Sequence, residues 1–591
     1  MSTIRVNPIL RYSDIFSEAL NLPSENDHKQ NIKALIVGLP KKTVLQASAH
    51  FAGYFDYESS KFNQDAISFL DNYFGYTSNE VKLPILKTVS DLQRSSATKL
   101  QIINTITSLT LFNWALEFCE GPDEITDHDR AAFEITLLKA YLYLNEVLDS
   151  KHTNAIKTVP HSGIEGFIRM QFTVALPDYE FSNVNLPKAF TCQIIKAYWL
   201  FSHISSHQKY QQLISSLLAK LMLDSIYPIY SFFIDMAFES VKRSEGAVTI
   251  DLDPNDPDIE HMERIFQYYT TVTGSESDDF RFLRTNPFYE VTRGEFRIIY
   301  PLFVVDKIYK SWYFQFNELN MTLEDPPFKV KALKGEYGKK ITEEVILVNA
   351  LSGVFRSGAN IRFGEALCDS NGKEFKQAPD YYVRDSNNVF WFESKDTYLT
   401  AQSKASYDYG EIEADLEKKL RTSGISQLVA NINRVYSNNL EFDQITQPKK
   451  IKFYPILVLH DETFNSPFLN YIVNQWFIED LQSGADPCVN ISNVNPVVIL
   501  TIDTIINFNQ LFRRSPHYFE LLLRRYADHH LHAQNNQQVI TGLSFFHFAQ
   551  SFCLKKKFLV APIKSCLGRL CIISLWVNSI LQTKIELVIH R

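Results

Sequence analysis

The sequence predicts a mostly α-helical region followed by an α/β region, a mixed sheet flanked by helices. Three observations predict it. Apolar residues recur at three- and four-residue spacing through roughly residues 10–245. The pattern breaks at "LEDPPF" (323–328). Beyond the break the order is helix, three strands, helix, strand and a late strand, and one hairpin combined with a crossover makes the sheet mixed.

The helical pattern is clearest in "TLLKAYLYLNEVLDS" (136–150) and "QIIKAYWLFSHIS" (193–205). Both contain Lys-Ala-Tyr, an echo of a helical pair without a sustained repeat period. "EGAVTIDLDPNDPDIEH" (245–261) and "SESDDF" (275–280) are acidic loops. After the break, "GKKITEEVILVNALSGVF" reads as a helix and "NIRFGEAL" as a strand. The hairpin in "APDYYVRDSNNVFWFESKD" (378–396) follows, then the helix "YGEIEADLEKKLRTSGISQLVANINRVY". The apolar strands "IKFYPILVL" (451–459) and "NPVVILTI" (495–502) come last. The expected domains are 1–325 (helical), 326–510 (α/β) and 511–591, an extension ending in the apolar "LCIISLWVNSIL".

A chain of 591 residues with 45% hydrophobic and 21% charged residues is globular and too long for one ordinary core. A formal charge of −8 argues against a protein that coats nucleic acid or an anionic membrane with its whole surface, but leaves room for a local basic groove. Seven cysteines with no Cys-x-x-Cys pair point to reduced thiols, and no apolar run reaches membrane-spanning length. Cytoplasmic localisation and no membrane partner are expected.

The hairpin poses a chemical problem. Val389, Phe390, Trp391 and Phe392 read as a strand covered on both faces, yet Glu393 and Lys395 follow directly. If "DSNN" (385–388) is a four-residue loop, Arg384 faces Val389, Tyr382 faces Trp391 and Asp380 faces Glu393. The two carboxylates then share a face with Cβ atoms roughly 4.5–5.5 Å apart, and Lys395 points the same way. Like charges so close need a cation between them or a shared proton. Mg²⁺, with Mn²⁺ able to substitute, suits carboxylate oxygens. Such a cation would polarise a phosphoryl oxygen and acidify water for phosphodiester hydrolysis, with Lys395 orienting that water or stabilising the developing charge.

Pro379-Asp380, then Glu393-Ser394-Lys395, resembles the PD-(D/E)XK signature of restriction-endonuclease-like nucleases. The resemblance covers roughly residues 330–460, and the expected order there matches that family's α-β-β-β-α-β core. It implies that Asp380 and Glu393 bind the catalytic Mg²⁺ and that Lys395 assists the attacking water. The first helix of that family often adds an acidic ligand, here Glu343 or Glu344, with Glu336 less favoured. "GISQL" is similar to the helix that carries an accessory glutamine in some branches, which points to Gln427, although the tyrosine spacing of the RecB-like branch is missing. The Pro-Asp pairs at Asp123, Asp178 and Asp258 lack a Glu-x-Lys at hairpin distance, as befits a signature that needs its strand context.

Glu365 is a second accessory candidate, on the strand next to the hairpin. Lys331, Lys334, Lys339 and Lys340 cluster at the first core helix and could neutralise phosphates. Asp528, His529, His530 and His532 lack the second ligand cluster of a metal site. No Walker-type phosphate loop and no Gly-x-Ser-x-Gly elbow occurs. The expectation is therefore a Mg²⁺-dependent nuclease acting on nucleic acid, with DNA as the favoured substrate. Its helical half would sense, regulate or bind a protein partner, and a homodimer would supply two sites for double-strand cleavage. The arrangement resembles effectors of bacterial defence against phage or foreign DNA. The alternative is a catalytically inactive nuclease-like module in a helical scaffold.

Overall fold

The computed structural model describes residues 9–555 apart from 17–26, 54–65, 96–101, 123–124, 184, 243–247, 275–279, 324–329, 369–371, 373–374, 376–377, 516 and 532–541. The tail "LCIISLWVNSIL" and His532 lie outside the described residues. Among the described residues, no helix is long and apolar enough to cross a membrane.

The chain forms two compact units that do not follow the expected cut near residue 325. One comprises Met1–Lys157, Phe181–Gln193 and Ile214–Trp312; the other comprises Thr158–Glu180, Ile194–Leu213 and Tyr313–Arg591. The first unit is largely helical. It also holds a three-stranded antiparallel sheet, Thr249–Asp251, Glu295–Ile298 and Phe288–Thr292, with the middle-listed strand at its centre. Polar residues such as Glu290, Arg293 and Glu295 interrupt the apolar alternation there, which is why the sequence pattern did not announce these strands.

The second unit is α/β. Its five strands are β1 (Asn360–Arg362), β2 (Tyr381–Asp385), β3 (Asn388–Lys395), β4 (Lys452–Leu459) and β5 (Val498–Thr501), paired in that order. β1, β2 and β3 pair antiparallel, whereas β3, β4 and β5 pair parallel, so the sheet is mixed. Helix α1 (330–351) precedes β1, and α2 (409–436) crosses from β3 to β4. Both contain wide π-helical stretches, Gly338–Leu347 and Glu417–Ile425, a feature often found near functional sites.

β3 and β4 are buried along nearly their whole length, as their aromatic and β-branched sequences require. One row, Val389, Trp391, Leu457 and Leu459, packs with Ile412, Leu416, Leu420 and Leu428 of α2. Gly424 lets α2 ride close: a Cβ there would lie 3.0 Å from Leu457 Cδ1. Ile168, Phe172 and Leu176 belong to the same core, and Arg169 forms an ion pair with Glu413. A segment expected in the helical half thus contributes apolar side chains to the α/β core.

The C-terminal segment beyond residue 511 is likewise no appendage up to residue 555. Phe519 is fully buried and packs against Phe355, Phe390 and Phe392. His530 stacks on Tyr526 and meets Phe548 edge-on, an aromatic role.

Candidate active site at the end of the β2–β3 hairpin

The hairpin turn is tighter than expected. Asp385 pairs with Asn388, which leaves a two-residue turn at Ser386 and Asn387, and Ser386 adopts a left-handed φ of 58°. The facing pairs Arg384–Val389 and Tyr382–Trp391 keep the expected register. Asp443 anchors the hairpin, accepting from Tyr382 Oη at 2.6 Å and from Arg384 Nε and Nη2 at 2.5 and 2.7 Å.

Asp380 lies one residue before β2, and its backbone N–H donates to Phe392 O at 3.2 Å. Its Oδ2 accepts from the Ser394 backbone N–H at 2.6 Å. Glu393 is buried, and its Oε1 receives Lys395 Nζ at 2.6 Å. Burial, then the charge of Asp380, pushes the Glu393 carboxyl up to about 8, and contact with Lys395 only partly offsets this.

Helix α1 brings the third carboxylate. Burial, then the charges of Asp380 and Glu393, pushes Glu343 up to about 8, while Lys395 and Lys339 act in the opposite direction. For Lys395, burial would lower the ammonium, but Glu393, Asp380 and Glu343 together raise it, so it stays protonated. Three carboxylates and one ammonium from three separate elements therefore share one electrostatic field.

Glu344 takes another direction, bound to Lys340 Nζ at 2.7 Å. Glu365 is exposed on a short 3₁₀ turn, Gly364–Leu367, because β1 ends at Arg362. Glu336 pairs with Lys209 at 3.4 Å. Gln427 lies one helical turn beyond Gly424, with its Oε1 buried and without a hydrogen-bond partner among the described residues. Among the basic candidates, Lys334 is held by Asp396 at 2.7 Å and sits over the Tyr313 ring. Lys339 and Lys340 are exposed, and the Lys331 side chain lies outside the described residues.

The donor chemistry fits a hard divalent cation: carboxylate oxygens whose mutual repulsion such a charge would relieve. Asp380, Glu393 and Glu343 are the residues that would hold it. Among the described residues, no group of three or more His, Cys, Asp and Glu side chains already closes on one point as a metal cage.

Sequence reasoning missed two polar groups behind the carboxylates. Ser394 Oγ lies 2.8 Å from Nε2 of His460, the first residue after β4. The available signal was His460 itself, directly after an apolar parallel strand, where open α/β sheets place ligands. Sequence reasoning also missed a buried charge cluster nearby: Lys196 Nζ lies 2.6 Å from Asp503 Oδ1, and burial and Asp503 raise Glu462 to about 7.

Comparison of the chain with protein-family models, with curated proteins and with solved structures yields no match. The site's own geometry is the basis for a functional reading.

Proposed function

We propose that this chain is a Mg²⁺-dependent phosphodiesterase that cleaves nucleic acid, with DNA as the favoured substrate, on a PD-(D/E)XK-like core. The observation that carries the proposal is the contact of Lys395 with buried Glu393 at 2.6 Å beside Asp380, whose Oδ2 takes the Ser394 N–H, with Glu343 close enough to feel these charges and both glutamates pushed up. The sequence of elements from α1 through β4 supports it, since it follows the helix, three strands, helix, strand order of that family.

Such a cation, when bound, supplies charge that polarises a phosphoryl oxygen and acidifies water. The residues themselves do the rest. Glu343 and Glu393, both raised, must be ionised for the site to load, so activity rises with pH through the range in which those two carboxyls ionise. Lys395 offers a fixed positive charge beside the place where negative charge grows on the phosphate. Its hold on Glu393 also keeps that carboxylate from turning away.

One observation favours an inert nuclease-like module instead: Lys395 already neutralises Glu393 internally. Plasmid, single-stranded DNA and RNA cleavage with Mg²⁺ separates the readings. Lys395→Ala should lower the rate about 10²- to 10³-fold, the usual cost of removing one group that stabilises transition-state charge. Lys395→Arg should not restore it fully, because the planar guanidinium cannot reproduce a point charge. No cleavage by wild type, or equal cleavage by Lys395→Ala, replaces the enzyme with the scaffold.

A further inference from the structure

The end of β3 raises a hydrogen-bond question. The β2–β3 ladder stops at the pair Tyr381–Phe392, whereas β3 runs on beside β4 to the pair Lys395–Leu459. Successive residues of a strand direct their backbone groups to opposite neighbours, so residues two apart share a side. Phe392 O accepts from Asp380 on the β2 side, so the Ser394 N–H also points to that side, past the last ladder pair. Asp380 Oδ2, at 2.6 Å, takes the place of the missing strand carbonyl. The direction of the Asp380 carboxylate is therefore tied to the position of the Ser394 backbone.

That backbone is held from behind. Ser394 is 1% exposed, and its Oγ meets His460 Nε2 at 2.8 Å. His460 is set by the parallel pairing of β3 with β4 and by its surroundings, which include Asp396, Lys196 and Lys334. Lys334 is fixed in turn on Asp396 at 2.7 Å. Burial, opposed by Asp396 and helped by the two lysines, lowers the His460 imidazole to about 4, leaving it neutral. Its Nδ1 is buried without a hydrogen-bond partner among the described residues.

We propose that Ser394 and His460 are positioning residues for the carboxylate site: His460 fixes the Ser394 side chain, and the Ser394 amide fixes Asp380 for a divalent cation. This inference rests on the phosphodiesterase reading and names the support that its cation site requires. Three neighbouring carboxylates repel one another, so a displaced Ser394 amide would turn the Asp380 carboxylate that it binds, and the affinity for a cation would fall. Outer partners of metal ligands act in this way, at a cost of about 10- to 100-fold in metal affinity when removed.

The test reads cation binding without cleavage. The full chain, stripped of metal, is titrated with Mn²⁺ while its thermal unfolding is followed, and the half-saturating concentration is compared among wild type, Ser394→Ala, His460→Leu and His460→Gln. Ser394→Ala and His460→Leu should need about 10- to 100-fold more Mn²⁺. His460→Gln, whose amide can replace Nε2, should return to the wild-type concentration, which a purely structural defect would not do. Should His460→Leu fail to fold, Ser394→Ala alone decides, since it removes a single oxygen. Unchanged half-saturation in Ser394→Ala, or no response of the wild type to Mn²⁺, overturns the positioning role. Cleavage is scored separately: a wild type that binds Mn²⁺ as described but cuts neither DNA nor RNA sinks the enzyme reading and leaves the positioning role standing.

Discussion

Replacing Glu393 by glutamine should change the way stability responds to pH, and the structure gives the size and sign. Glu393 and Glu343 rise from an ordinary 4.5 to about 8 in the folded chain. A raised carboxyl binds its proton more tightly when folded, so its contribution to stability is present below about 4.5 and is lost as pH climbs through about 8. At 1.36 kcal/mol per decade, carrying one such group from pH 5.5 to pH 8 withdraws on the order of 3 kcal/mol. Glu343 is present in both proteins and is raised chiefly by its own burial, so only the Glu393 contribution enters the difference and the figure is counted once. At roughly 2 °C per kcal/mol for a unit of this size, metal-free wild type should lose about 6 °C relative to Glu393→Gln across that interval. The assay is thermal unfolding of both proteins in chelator at several pH values. Taking the difference cancels other groups, Glu462 included. A difference that stays flat with pH, or grows in the opposite sense, would refute the reasoning, because Glu393 would then not be raised by its burial and by Asp380.

Two further outcomes follow from the same geometry. Mg²⁺ or Mn²⁺ should raise the melting temperature of wild type more at pH 8 than at pH 6, since ligands must be deprotonated to bind and binding to the folded state stabilises it; Asp380→Asn should lose that response, and a mutant shift equal to wild type would remove Asp380 from the site. A fragment beginning at residue 326 lacks Ile168, Phe172 and Leu176, which are at most 1% exposed in the core under β3, and should unfold without a cooperative transition; a fragment that melts like the intact chain would show that this segment is dispensable.

The hairpin was legible because its information is local. Alternation along β2 and β3 fixes which side chains share a face, and the turn residues fix the register, so the pairing of Tyr382 with Trp391 needs only the sequence. The turn came out shorter than expected because Asp385 and Asn388 extend the ladder. A choice such as Glu343 over Glu344 could not be made locally. Adjacent residues on a helix point in different directions, and only the seating of α1 decides which of them meets the hairpin.

The sequence by itself determined the helical character of the first part, the mixed sheet of the second, and the placing of Asp380, Glu393 and Lys395 at one hairpin end. These follow from periodicity and near-neighbour geometry, which operate within a few residues. Tertiary structure alone decided that Thr158–Glu180 and Ile194–Leu213 belong with the α/β unit, that Lys334 is occupied by Asp396, and that His460 stands behind Ser394. Each is a contact between residues distant in the chain. Burial selects such contacts by how well surfaces and charges match once folded, and no pattern within a single segment records that match.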